Sequence, residues 1–185
     1  MKRQASVTIA RADSDPLFAC LNGGVMDVDA FLCDHAEVAE GKLFANGAGI
    51  NICLVTPQPP HVVNLFLAAV VHVPYTATNE GHKLTVSIVD QDGHGMVPWV
   101  PEGTPSPGPV VLETEFTVGR PPTLQPGESQ PVPVAFGFQG MPVAALGSYS
   151  FRLDVDGVEA RRLPFRVAPQ PLPPGGFGAA DIPRL

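Results

Sequence analysis

The chain has 185 residues, which is enough for one domain that buries a core without a metal or disulfides. Hydrophobic residues make up 44% and charged residues 16%, and the 22 prolines and 19 glycines favour many short strands over long helices. A net charge of −7 with only 11 Lys and Arg argues against a basic face, so we expect neither a nucleic-acid partner nor an anionic membrane surface.

The N-terminal residues 1–24 are predicted to form a loosely structured arm. Lys2 and Arg3 open it, but acidic residues interrupt the apolar run that a signal peptide needs. The most apolar stretch, HVVNLFLAAVVHVP, is too short to span a bilayer. Three cysteines are too few for a disulfide framework and are expected as free thiols in a reducing compartment. We therefore expect a soluble, cytoplasmic protein.

The first predicted hairpin begins after the arm. VMDVDAFLCDHAEV reads as one strand, AEG as a turn at Glu40 and Gly41, and KLFANGAGINICLV as the returning strand. A helix over residues 27–40 is the alternative, because Ala, Leu and Glu are good helix formers. The short segment and its β-like flanks favour the hairpin.

The middle of the chain predicts a central strand and an alternating strand. HVVNLFLAAVVHV is uniformly apolar, as a strand buried on both faces would be. In KLTVSIVDQDG, Leu84, Val86 and Ile88 share one face, and a turn at Asp92 and Gly93 ends the strand. VPWVPEGTPSPGP, residues 97–109, reads as a Pro-rich loop.

Two more strands and a final hairpin that ends in LPFRV are predicted after this loop. VVLETEFTV alternates with a slip near Thr114 that suggests a bulge, and the prolines of PVPVAFGF indicate an edge strand. The last unit alternates most clearly and turns at Asp156 and Gly157. Its Leu-Gly-x-Tyr lead resembles a tyrosine corner, in which the hydroxyl bonds back to the preceding connection. One face of this strand carries Tyr149, Phe151, Leu153 and Val155.

Together these elements predict an all-β protein, an antiparallel immunoglobulin-like or C2-like β-sandwich of about 7–9 strands. The domain is predicted over residues 25–167, between the N-terminal arm and a Pro/Gly-rich C-terminal tail over residues 168–185.

One run holds three consecutive residues of types that can bind a metal or serve in catalysis: Cys33, Asp34 and His35. On a strand, Cys33 and His35 would share a face and Asp34 would point away, which leaves a thiolate nucleophile without a partnered base. A zinc site would need further ligands such as Cys53 and His61, and no ligand-pair spacing supports them. We favour Cys33 as a small buried hydrophobe with His35 near a strand end.

The stretches DQDG and DVDG invite a calcium interpretation, but Asp-Gly is also the favoured hairpin turn. We interpret both as turns and expect no metal and no cofactor. The five histidines are interpreted as neutral surface residues at strand ends. The alternative metal ligands that this interpretation sets aside are Cys33, His35, Asp90, Asp92, Asp154 and Asp156.

The run LCDHAEVAEGKLFANGAG, the stretch VPYTATNEGHKLTVSIVDQDG and the segment GSYSFRLDVDG resemble an uncharacterised, mainly actinobacterial family of small proteins, over about residues 25–167. The resemblance implies a sandwich domain and no known reaction.

The leading functional hypothesis is a non-enzymatic protein-binding or assembly subunit that contacts a protein partner or sister subunits through its extensions. Its candidate partner-binding residues are Trp99, Phe177, Ile182 and Leu185. One alternative is a small-ligand or carbohydrate-binding module that stacks ligands on Trp99 and Tyr75. The third is a metal-dependent enzyme that uses Cys33, His35 and Cys53.

Overall fold

A computed structural model describes residues 26–171 and contains ten β-strands in that range. A short 3-10 turn covers Tyr75–Ala77. Within the same range no helix is long and apolar enough to cross a membrane. The strands are β1 (Asp27–Cys33), β2 (His35–Ala39), β3 (Lys42–Asn46), β4 (Ile52–Val55), β5 (His61–Pro74), β6 (Gly81–Asp90), β7 (Val111–Thr117), β8 (Ser129–Val143), β9 (Gly147–Val155) and β10 (Val158–Pro169).

The strands form three sheets, so the all-β prediction is confirmed. One sheet has the order β1-β5-β8, the second has the order β4-β10-β9-β6-β7, and β2 pairs with β3 alone. The pairings are antiparallel except that β4 runs parallel to β10. As predicted, β5 is a central strand, and the Pro-rich β8 lies at an edge.

The two larger sheets share one hydrophobic core. Alternate residues of β5, β6 and β9 point into it, including Leu84, Val86 and Ile88 on the face that the alternation predicted. The rings of Phe138 on β8 and Phe151 on β9 lie 4.8 Å apart between centroids and join the two sheets. Burial of this apolar area is the main favourable term in the stability of the fold.

The predicted first strand is divided by a bend at Asp34, and this division corrects the prediction of one continuous strand. β1 pairs with β5, whereas β2 and β3 form a hairpin whose turn at Glu40 and Gly41 is the predicted one. The predicted returning strand is divided as well, because β3 ends at Asn46 and β4 pairs with β10 in another sheet. The hairpin lies outside the main core. It covers the outer face of the three-stranded sheet, where Cys33, Ala36 and Ala68 form a second small cluster.

The hydrogen bond of Tyr149 was predicted correctly, whereas the position of a bulge was not. The Tyr149 hydroxyl donates a hydrogen bond of 2.8 Å to the Ala145 carbonyl, the backward bond that its sequence context predicted. The expected bulge near Thr114 is wrong, because β7 pairs with β6 without a register shift. A bulge instead separates Glu159 from Arg161 in β10.

Candidate functional site

His82 lies on the buried face of β6. Side chains alternate along a strand, so His82 points to the same side as Leu84, Val86 and Ile88. It is only 5% exposed, and His61 is buried as well. The prediction that the histidines are surface residues is therefore wrong for these two, and the alternation of β6 was the signal that could have placed His82 correctly.

The imidazole of His82 is held between two acceptors. Its Nδ1 lies 2.9 Å from the Asp156 carboxylate, and its Nε2 lies 2.8 Å from the Ala77 carbonyl. Asp156 occupies the β9–β10 turn with φ 51°, and its other oxygen accepts a 2.8 Å hydrogen bond from the Lys83 amide. A carbonyl and a carboxylate can only accept, so the doubly protonated imidazolium is the form that satisfies both contacts.

The protonation balance of His82 follows from this geometry. Burial disfavours the charged imidazolium and acts to lower the pKa. The hydrogen bonds to Ala77 and Asp156 oppose that effect, together with the negative charge of Glu80. The net result is a His82 pKa raised above its ordinary value of 6.5.

A shallow pocket of about 560 Å³ opens beside this pair. With both ring nitrogens of His82 turned to acceptors, the imidazolium has no lone pair with which to act as a general base. The arrangement therefore fixes the β9–β10 turn to the end of β6 and does not resemble a proton-transfer dyad. The pocket is lined by Gly81, His82, Lys83, Glu115, Phe116, Thr117 and Asp156.

Cys33, His35 and Cys53 do not come together. Cys33 is fully buried under the β2–β3 hairpin, where burial raises the pKa of its thiol. His35 is exposed at the first position of β2, and its ring lies against that of Phe66 with 4.8 Å between the centroids. Cys53 lies in the main core, on the other side of the three-stranded sheet. These positions leave the three residues without a common site.

The acidic turn residues separate into two different settings. Ligand atoms of Asp90, Asp92 and His94 lie within 4.8 Å of one another on the surface. Asp90 accepts hydrogen bonds from the amides of Asp92 and His94, the ordinary contacts of such a turn. Asp154 instead pairs with Arg152, and Asp156 is engaged by His82. The two DxDG stretches therefore do not contribute to one cation site.

Tyr75 and Trp99 lie at opposite ends of β8. Tyr75 follows Pro74, which pairs with Ser129 at the start of that strand, whereas the Trp99 amide bonds to the Pro142 carbonyl near its end. Fifteen residues of strand separate the two ends, on the order of 40 Å. They cannot stack one small ligand together. Phe177, Ile182 and Leu185 lie outside the described residues.

The edge strand β4 presents a second candidate surface. The amide of Arg166 on β10 donates to the Asn51 carbonyl, and that of Gln170, just after β10, donates to the Val55 carbonyl. Strand backbone groups alternate in direction. Cys53 therefore also faces β10, while the N–H and C=O groups of Ile52 and Leu54 face the open edge. Ile52 and Leu54 are 42% and 58% exposed. Among the described residues no strand pairs with this edge, which therefore combines available backbone groups with aliphatic side chains.

The other three edges of the two larger sheets are less suited to pairing. β8 carries Pro131 and Pro133, which have no N–H to donate. β7 carries Glu113 and Glu115, and charged residues discourage edge pairing. On β1, the Leu32 carbonyl already accepts hydrogen bonds from the amides of residues 49 and 50. Among the described strands, β4 is the edge best suited to receive another chain.

These features define an all-β protein with a contact between a buried histidine and a partly exposed aspartate, and with an aliphatic sheet edge. The chain belongs to DUF6941, a family of unknown function, and the match covers residues 28–168. The suspected membership of an uncharacterised family is thereby confirmed. No curated protein matches the sequence.

Proposed function

We propose that this protein is a non-enzymatic binding or assembly subunit that contacts another protein chain through the β4 edge and its terminal extensions. The observation that supports the proposal best is the β4 edge. There Ile52 and Leu54 present exposed aliphatic side chains and backbone groups that pair with no other strand of the described residues. Exposed edges of this kind bind extended chains by strand addition, in which backbone hydrogen bonds provide affinity and side chains provide selectivity.

The chemistry of the buried groups favours binding over catalysis. The His82 imidazolium is saturated by two acceptors. Cys33 is buried, with a thiol pKa that is raised by burial. A cytoplasmic location is part of the proposal, since Cys33 and Cys53 are buried thiols on different faces of a sheet.

An immunoglobulin-like sandwich is the finer fold assignment that we propose with this function. The shared core of the two larger sheets and the backward hydrogen bond of Tyr149 support it. In such sandwiches the sheet edges and end loops are the surfaces available to partners, which agrees with a role for β4.

The C-terminal extension leaves the fold beside β4. The Gln170 amide donates a 2.8 Å hydrogen bond to the Val55 carbonyl, so the strand region reaches slightly beyond the predicted boundary at residue 167. A truncation that tests the tail should therefore begin at residue 172 and leave this contact intact. The removed segment contains the candidate partner-binding residues Phe177, Ile182 and Leu185.

The test compares the full chain with a variant that lacks residues 172–185, by native mass spectrometry and affinity capture followed by protein identification. We expect the truncated protein to lose assembly or partner capture while its melting temperature stays nearly unchanged. A truncated protein that assembles and captures partners like the full chain would exclude the tail. If the full chain shows neither assembly nor a reproducible partner, the proposed function is wrong.

A further inference from the structure

The β4 edge is complementary to itself. Ile52 and Leu54 are the two residues whose backbone groups face the open edge, and they lie symmetrically on either side of Cys53. We propose that two copies of this chain pair through β4 in antiparallel orientation, about a two-fold axis at Cys53. This inference rests on the proposed function and names a second copy as the partner.

The register of this pairing follows from the backbone directions. With Cys53 opposite its counterpart, Ile52 faces Leu54 of the second copy, and each such pair exchanges both N–H···O bonds. In a register shifted by one residue, Ile52 would lie opposite Cys53 of the second copy. The backbone groups of Cys53 face β10 and could not bond across the new interface. The symmetric register uses the open groups and leaves the existing bonds unchanged.

The side chains support the same register. The two-fold axis places the exposed side chain of Ile52 beside that of Leu54 from the other copy, on the outer face of the joined sheets. Aliphatic cross-strand pairs of this kind stabilise antiparallel sheets, and both side chains lose exposed area. An isologous interface requires a surface patch that matches itself, and this pair meets that requirement.

Charge does not oppose the pairing. Arg166 on β10 is paired in register with Ile52, and it is the charged residue on that stretch of the outer face nearest to the edge. In the joined sheet the two Arg166 residues would be separated by three strand spacings, roughly 14 Å. That separation exceeds the Debye length of about 8 Å at physiological ionic strength, so their repulsion is largely screened.

The short length of β4 limits the affinity. A four-residue edge buries less than the roughly 1,000 Å² that specific interfaces usually need, so the edge alone gives a dimer that forms mainly at high protein concentration. The joined sheets form one continuous sheet with β4 of each copy at its centre.

Cys53 provides a built-in reporter of this register. Directly opposed residues of a non-hydrogen-bonded antiparallel pair have Cα atoms about 4.5 Å apart, within the range that a disulfide spans. Mild oxidation with copper-phenanthroline in air converts the two thiols to a disulfide, with the protons released and the two electrons passed to oxygen. The probe is the full chain with Cys20→Ser and Cys33→Ser, which keeps Cys53 as its one thiol.

We expect this protein to form a covalent dimer at a rate that rises with protein concentration, and the further change Cys53→Ser to abolish it. Leu54→Lys should raise the dissociation constant measured by sedimentation equilibrium by at least about tenfold, because in both copies it replaces the aliphatic cross-strand partner of Ile52 by a charged edge residue. Val158→Lys is the matched control, since Val158 is 37% exposed and lies at the far end of β10 from the residues that pair with β4. We expect Val158→Lys to keep the parental constant.

Two results would overturn the pairing. One is a dimer in sedimentation that Leu54→Lys does not weaken or that forms no Cys53 disulfide. Such a dimer would use a different interface, and the proposed function would still hold. The other is a chain that stays monomeric at every concentration. If that monomer captures a different protein in a Leu54-dependent way, the edge binds a foreign strand and the proposed function holds. If it captures none, the proposed function fails as well.

Discussion

The contact between His82 and Asp156 predicts that stability depends on pH in a specific way. The informative change is Asp156→Asn. Asn tolerates the positive φ of 51° at this turn position and has nearly the same shape as Asp, so the turn is preserved. The change removes the negative charge that faces the imidazolium and leaves an amide in its place.

The magnitude follows from the exposure of the two partners. A hydrogen bond to a charged group contributes about 1.5–3 kcal/mol when it is buried. His82 is 5% exposed, but the Asp156 side chain is 45% exposed, and water screens it toward the 0–1 kcal/mol typical of surface pairs. We therefore expect Asp156→Asn to lower the free energy of unfolding by about 1–2 kcal/mol where His82 is protonated.

The sign of the pH dependence is set by the raised pKa of His82. Its stabilising contribution is fully present below the unfolded value of 6.5 and is lost as the pH rises through the higher folded value. Urea unfolding of both proteins at about pH 5.5 and about pH 9 measures the difference. The gap between them should be clear at the lower pH and small at the higher one.

An equal loss at both pH values, or no loss at the lower pH, would refute this reasoning. The matched control is Glu159→Gln, which breaks the exposed ion pair of Glu159 with Arg162 on β10. The hydrogen bond to Arg162 lowers the pKa of Glu159 below its ordinary value of 4.5, so the contribution of this pair is lost only at a pH below the tested window. The stability difference between Glu159→Gln and the parent should therefore be the same at both pH values.

Two further predictions concern local structure. Gly47→Ala should destabilise the fold by about 1–2 kcal/mol, because φ is 66° there and a Cβ would meet the Asp34 side chain; Gly119→Ala is the control, and equal melting temperatures for the two variants would contradict it. Tyr149→Phe should cost about 1 kcal/mol in urea unfolding through loss of the bond to the Ala145 carbonyl, and an unchanged midpoint would show that this bond contributes nothing.

The alternation of apolar residues predicted the strands that build the core. Leu84 and Phe151 lie on the buried faces that a period of two assigns to them, and the turn at Asp156 and Gly157 has the positive φ values that favour an Asp-Gly pair. These predictions succeed because they depend on residues close together in the sequence. Burial of one face fixes the register once a strand exists.

The bend at Asp34 depends on tertiary contacts that the local pattern does not contain. No Gly or Pro interrupts the run from Val25 to Val38 to mark a break. The Asp34 amide bonds to the Asn46 carbonyl, and its side chain occupies the space above Gly47, so the break is stabilised by the far end of the hairpin. The small cluster around Cys33 forms because the bend folds the hairpin over the sheet.

The contact of His82 with Asp156 could be predicted only in part. The alternation places His82 on the inner face, but its partner is 74 residues away in the sequence. The two residues meet because β6 pairs with β9, although two other strands lie between them in the sequence. A long-range polar contact of this kind requires the sheet order first, and that order is a property of the whole fold.

In the proposed association, the short β4 edge and the C-terminal tail would act together. Short edge strands are one means by which proteins limit unwanted association, and four residues provide little affinity alone. A second contact made by a tail that leaves the fold beside β4 would act at a high effective concentration once the edges meet, and the combined affinity would exceed that of either contact. Association at low protein concentration would then require both elements of the same chain. A foreign protein that offers a free strand alone would bind the edge weakly, so the pair of contacts provides selectivity that an aliphatic edge lacks by itself.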